Sequence, residues 1–230
     1  CGKSIKGMRI GVAKEYFALE MDEEVRKAIE DTLSFYKANG AEIVDVSLPS
    51  IDKALAVYYV LSSAEAASNL SRFDGIKYGN RAENYDSLID LYYKSRSQGF
   101  GDEVKRRIMM GNYCLSAGYY DAYYKKSLQV KEILKKEFAK AFENCDAIIS
   151  PISPTTAFKF GAKATPLEMY LADVYTVPVN IVGVPAISFK VRDNRNGLPI
   201  ACQLIGDMWQ EGKLYTLASY FEGNYKGGKN

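Results

Sequence analysis

The chain has 230 residues, 47% of them hydrophobic, which is enough to form a sizeable buried core. Its 30 basic and 28 acidic residues leave a formal charge of +2, too balanced for the broad basic surface of an autonomous nucleic-acid-binding protein. It contains no histidine, which excludes a Ser-His-Asp or Cys-His catalytic group within these residues and argues against a metal site.

The first fifty residues predict a βαβ unit. The β-branched run at 8–13 is followed by Asp22 and two glutamates, which are typical of a helix start, and apolar residues then recur at helical spacing until Asn39-Gly40. The alternating run at 41–49 predicts a second strand. Because a helix connects the two strands, we expect them to pair in parallel.

Residues 51–145 read as an almost wholly helical insertion, with helices at roughly 51–70, 87–98, 101–117 and 120–145. Strands are predicted again at 146–150, 185–191 and 200–206. The Asn-Gly and Pro residues of "RDNRNGLP" indicate a hairpin between the last two strands, and a final helix is predicted at about 211–225. The fold class is therefore α/β, with a mixed sheet flanked by helices, and we expect residues 1–230 to form a single domain that contains the helical insertion.

Four stretches of the sequence resemble the amidase signature family. They are "SSAEAASNLSRFDGIKYG" at 62–79, "SQGFGDEVKRRIMMGNYCLSAGYYDAYYKK" at 97–126, "DAIISPISPTTAFKFG" at 146–161 and "YTVPVNIVGVPAISF" at 175–189. The last two are typical of amidases in general, and the first two are more similar to the A subunits of tRNA-dependent amidotransferases. The resemblance implies the C-terminal part of the amidase signature fold.

The resemblance also implies a reaction. In this family a serine, a second serine in a cis peptide and a lysine cleave an amide through an acyl-serine intermediate, and these residues lie in a segment expected upstream of this chain. No Gly-Gly-Ser-Ser-Gly-Gly-type stretch occurs in the 230 residues, so we expect the C-terminal half of such a protein, inactive alone. A lysine base would explain the absence of histidine.

The resemblance assigns substrate-binding roles to three residues. Arg107 would bind the α-carboxylate of glutamine, Asp173 its α-ammonium group, and Tyr58 would offer a hydroxyl nearby. Each has a plainer interpretation: Arg107 as part of a solvated helix face with Glu103, Asp173 as a turn or cap residue, and Tyr58 as a core aromatic residue. We also expect "SPISPTT" at 150–156 and "VPVNIVGVPAIS" at 177–188 to line the amide pocket, with a close backbone approach at Pro178, Gly183 and Pro185.

The partners implied by the family are the B and C subunits of a heterotrimeric amidotransferase. The B subunit would use ATP and Mg²⁺ to convert Glu-tRNA(Gln) to Gln-tRNA(Gln) with the released ammonia, so no cofactor is expected in this chain and the misacylated tRNA would bind mainly to that partner. No apolar run approaches the ~20 residues that a bilayer crossing needs, and we expect a cytoplasmic protein. Two alternatives stay open: part of a stand-alone amidase that acts on another carboxamide, and a non-catalytic interaction module.

Overall fold

The structure is a computed structural model that describes residues 4–162 and 166–225, without the side chains of residues 166–168. The chain divides into two compact units, residues 1–55 with 130–230 (unit 1) and residues 56–129 (unit 2).

Five strands of unit 1 form one mixed sheet in the order β2-β1-β3-β5-β4. They are β1 (Arg9–Ala13), β2 (Glu42–Val46), β3 (Ala147–Pro151), β4 (Ala186–Asp193) and β5 (Pro199–Ile205). β1 pairs in parallel with both β2 and β3, while β5 pairs antiparallel with β3 and β4. The predicted βαβ unit and the predicted hairpin are both confirmed.

The helices of the described residues include the six predicted from the sequence and three short ones, at 14–18, 166–171 and 177–182, that were not predicted. They are α1 (Lys14–Ala18), α2 (Glu23–Ala38), α3 (Ala54–Leu70), α4 (Leu88–Gly99), α5 (Asp102–Leu115), α6 (Lys126–Phe142), α7 (Pro166–Leu171), α8 (Val177–Val182) and α9 (Glu211–Asn224). A 3₁₀ turn at Ile51–Lys53 precedes α3, and a π-helical turn at Asp121–Lys125 precedes α6, where the sequence predicts one continuous helix.

The core of unit 1 lies between the sheet and helices α2 and α9. α2 follows Asp22, carries two acidic residues in its first turn, and buries one face through Val25, Ile29 and Tyr36. On α9, the ring of Phe221 packs 4.9 Å from that of Phe189 on β4 and 5.0 Å from that of Phe35 on α2. These contacts join both helices to the sheet.

The segment at 177–188 differs from expectation. Residues 177–182 form helix α8, and Gly183 ends it in a left-handed conformation with φ 82°. No described atom lies within 4 Å of the position that a Cβ of Gly183 would occupy. Among the described residues Gly183 supplies a helix C-cap, and the close backbone approach expected at Pro178, Gly183 and Pro185 in the amide pocket stays a prediction.

Candidate functional site

Arg107 lies on α5 in unit 2 and is held by a shared carboxylate. Its Nε donates to Glu103 Oε1 at 3.0 Å, one helical turn earlier, and the adjacent Arg106 pairs with the other oxygen of the same carboxylate. The Arg107 side chain is 30% exposed and that of Arg106 is 51% exposed. The two neighbouring arginines thus differ, and Arg107 is the one turned toward the interior of its unit.

The aromatic pair on α3 forms the second part of this cluster. The Arg107 Cζ atom lies over the Tyr59 ring, 5.6 Å from its centroid, and the Tyr58 ring stands at 87° to that of Tyr59 at a centroid distance of 5.2 Å. Tyr59 is buried and Tyr58 is half-buried. Tyr58, a residue assigned to the site by resemblance, therefore lies in the same cluster as Arg107.

The charges of this cluster are mutually stabilised. Burial by itself would lower the pKa of Arg107, but hydrogen bonds with Glu103 and the Tyr58 side chain and the charge of Glu103 raise that pKa above its ordinary value. The hydrogen bond from Arg107 lowers the pKa of Glu103, and the charge of Arg106 acts in the same direction. Both groups are consequently ionised at neutral pH, and the guanidinium is a permanent cation that can bind a carboxylate.

Asp173 lies in unit 1, in the turn that connects α7 to α8. Its side chain is exposed, and its main-chain carbonyl accepts hydrogen bonds from the Val177 amide at 3.0 Å and from Thr176 Oγ1 at 3.1 Å. The backbone of Asp173 thus has the turn role that its sequence context indicates. Its convergence with Arg107 on one ligand stays a prediction.

A cavity of about 330 Å³ lies beside Asp173 in unit 1. It is close to the carboxyl ends of the parallel strands β1 and β3, the edge where α/β proteins commonly bind ligands. The Asp22 amide donates to the Pro154 carbonyl at 2.9 Å and joins the two segments that leave these strands. The cavity is lined by Leu19, Glu20, Met21, Asp22, Pro154, Thr155, Leu171, Ala172 and Val174. Two residues of "SPISPTT" and both neighbours of Asp173 therefore line one cavity.

A buried amide connects this edge to the sheet. Gln203 Nε2 on β5 lies within hydrogen-bond distance of three acceptors: Ser150 Oγ at 2.9 Å, the Pro151 carbonyl at 3.1 Å and the Tyr175 carbonyl at 2.8 Å. Burial raises the pKa of Tyr175 to about 12, so its hydroxyl stays protonated and donates to the Tyr16 carbonyl at 3.4 Å. These bonds hold the chain at Tyr175, two residues after Asp173, and so fix the turn that carries Asp173.

Sequence reasoning missed both supporting groups. It treated Tyr59 only as a core aromatic residue and did not consider Gln203. A signal for Gln203 was available, because a single glutamine within the apolar strand "IACQLIG" must find partners once it is buried.

In residues 4–162 and 166–225, no group of three or more His, Cys, Asp or Glu side chains is arranged to hold a metal ion. Within the same ranges, no helix has the length and apolar character that a membrane crossing requires.

Comparison with known proteins identifies the family. The family model described as Amidase matches residues 2–215. The chain belongs to the amidase family. It is 53% identical over 225 residues to the A subunit of glutamyl-tRNA(Gln) amidotransferase from Caldanaerobacter subterraneus subsp. tengcongensis, covering 97% of this chain and 46% of the relative. It is 54% identical over 221 residues to that of Clostridium botulinum, covering 96% and 45%.

Solved structures agree with this family. The A subunit of the Thermotoga maritima glutamyl-tRNA(Gln) amidotransferase matches with a TM-score of 0.73 and 35% identity over 96% of this chain and 43% of that one. A crystal structure of an amidase matches with a TM-score of 0.75 and 23% identity over 96% of this chain and 46% of that one, which supports the fold alone. The fold is that of amidase signature enzymes, as predicted, and the chain spans a little under half the length of the curated relatives it matches.

Proposed function

We propose that this chain is the glutamine-recognition part of the A subunit of a tRNA-dependent amidotransferase. The observation that carries the proposal is the partly buried Arg107, held by Glu103, Tyr58 and Tyr59, in a chain more than half identical to such proteins. A partly buried guanidinium that is held by neighbouring side chains suits a carboxylate, because charged groups in a cleft are stable when they are paired.

In this proposal Arg107 binds the α-carboxylate of glutamine, Asp173 the α-ammonium group, and Tyr58 contributes its hydroxyl. The full-length protein hydrolyses glutamine through a serine, a cis-peptide serine and a lysine that lie outside these 230 residues. Ammonia passes to the B subunit, which uses ATP and Mg²⁺ to amidate Glu-tRNA(Gln) in the cytoplasm, and the C subunit is the third member of the complex.

The two adjacent arginines provide a matched test. In the full-length protein in complex with its two partners, we expect Arg107→Lys to raise KM for glutamine roughly 10- to 100-fold, because lysine cannot form the planar two-pronged contact with a carboxylate. Arg106→Lys is the control and should change KM less than about twofold. Steady-state glutaminase kinetics measure both, and equal kinetics for the two variants would remove Arg107 from the site.

Asp173 is tested by substrate choice. Asp173→Asn should weaken hydrolysis of glutamine more than that of an amide without an α-amino group, and equal losses for both substrates would assign Asp173 a structural role only. The same pair of substrates tests the alternative, a stand-alone amidase for another carboxamide, since such an enzyme would not prefer glutamine. Ammonia release by the 230-residue chain alone would contradict its proposed lack of activity.

A further inference from the structure

Helices α3 and α5 of unit 2 approach each other so closely that no side chain fits between them at one point. A Cβ atom on Gly111 would lie 2.0 Å from the Ser63 carbonyl oxygen and 2.7 Å from the Ala67 Cβ. Real Cβ atoms do not approach other atoms to this distance, so the glycine is what permits the contact. The separation of the two helices is therefore set at this contact.

The same two faces carry Arg107 and Tyr59. Arg107 precedes Gly111 by four residues on α5, and Tyr59 precedes Ser63 by four residues on α3, so each pair lies on one helix face. The contact at Gly111 and the contact of Arg107 with the Tyr59 ring are thus consecutive steps along one helix–helix interface. The position of the guanidinium over the ring follows from the same packing.

The Tyr59 ring offers a fixed surface for the cation. Tyr59 is 8% exposed, and the perpendicular Tyr58 ring packs against it. A guanidinium held over an aromatic face is attracted by the negative charge of the ring electrons. Since Glu103 accepts from Nε, the guanidinium is restrained both at one edge and over one face.

We infer that Tyr59 is a positioning residue for the recognition of the substrate carboxylate. It acts through Arg107, whose guanidinium it helps to hold in place beside the Glu103 carboxylate, and we attribute this effect to the aromatic ring. This inference rests on the proposed function. It adds Tyr59 as a residue that contacts the Arg107 guanidinium rather than the substrate. Glutamine binding should therefore depend on the ring at position 59.

The test compares two substitutions at Tyr59 in the full-length protein in complex with its two partners. Tyr59→Leu removes the ring and should raise KM for glutamine about three- to tenfold, with kcat and the hydrolysis of a carboxamide without an α-carboxylate each changed less than about twofold. Tyr59→Phe keeps the ring and should leave KM within about twofold of the wild type.

Two results would overturn the inference: equal losses for glutamine and for the simple carboxamide in Tyr59→Leu, or a rise in KM for Tyr59→Phe as large as for Tyr59→Leu. Arg107→Lys is measured beside them. If it raises KM and Tyr59→Leu does not, only the role of Tyr59 fails. If Arg107→Lys leaves KM unchanged, the proposed role of Arg107 fails and this inference fails with it.

Discussion

Units 1 and 2 are stabilised by different kinds of buried side chain. Unit 1 fills the space between its sheet and helices with large apolar residues such as Phe221, Phe189 and Ile10. Unit 2 buries mainly small ones, among them Ser63, Ala64, Ala67 and Ser95, while most of the large apolar residues that remain exposed also belong to unit 2. A sheet packed by helices needs volume between its layers, whereas helices that contact each other directly need small residues.

The difference predicts opposite responses to a change in side-chain volume. Unit 1 should be most sensitive to the loss of large groups and unit 2 to the addition of small ones. Two pairs of substitutions test this difference, and a third compares buried hydroxyl groups in the two units.

The first pair removes large side chains from α9. Phe221→Ala should lower the free energy of unfolding by about 3–5 kcal/mol, because Phe221 is 1% exposed and contacts four other aromatic rings, and the cavity would not be refilled. Tyr215→Ala, on the same helix but 57% exposed, is the control and should cost less than about 1 kcal/mol. Denaturant unfolding measures both, and similar losses would contradict the tightly packed core assigned to unit 1.

The second pair adds one methyl group in each unit. Gly111→Ala should destabilise by about 1–3 kcal/mol, since the new Cβ forces α3 and α5 apart. Gly212→Ala in α9 meets no described atom within 4 Å and should stabilise by about 0.5–1 kcal/mol through reduced backbone entropy in the unfolded chain. Thermal or denaturant unfolding decides the signs, and a stabilising Gly111→Ala would disprove the close helix contact.

The third pair removes a buried hydroxyl from each unit. Ser150→Ala should cost about 0.5–1.5 kcal/mol, because it removes the hydrogen bonds of the Ser150 hydroxyl while Gln203 Nε2 keeps the Pro151 and Tyr175 carbonyls. Ser63→Ala should raise stability by up to about 1 kcal/mol, since Ser63 Oγ is buried and has no hydrogen-bond partner among the described residues. Denaturant unfolding of both variants measures these changes in stability. Equal losses for Ser150→Ala and Ser63→Ala would contradict the different hydrogen bonding of the two hydroxyl groups.

Much of the fold could be predicted because its patterns are local. Alternation and helical spacing predicted the strands and most helices, and the Asn-Gly turn predicted the hairpin. The helix at 177–182 was missed because its valines favour extended structure in isolation. Pro178 lies in the first turn of this helix, where proline is compatible with helical structure. The π-helical turn at Asp121–Lys125 leaves no signal in the apolar spacing.

The candidate site was less predictable, because its geometry depends on contacts between distant residues. Helical spacing alone predicted the pairing of Arg107 with Glu103, four residues apart. The contact of the Arg107 guanidinium with the Tyr59 ring joins residues 48 positions apart and depends on the packing of two helices. The roles of Arg107, Asp173 and Tyr58 came from family resemblance and stay predictions.

The position of Gln203 has a consequence for motion near Asp173. One side-chain amide in β5 contacts the end of β3 and the carbonyl of Tyr175 at the same time. The loop before α8 therefore cannot swing outward without breaking the hydrogen bond from the Gln203 side chain to the Tyr175 carbonyl. Gln203→Leu should therefore speed hydrogen exchange at the Val177 amide, which bonds to the Asp173 carbonyl in the same turn, because the carboxylate two residues before Tyr175 then loses its anchor to the sheet.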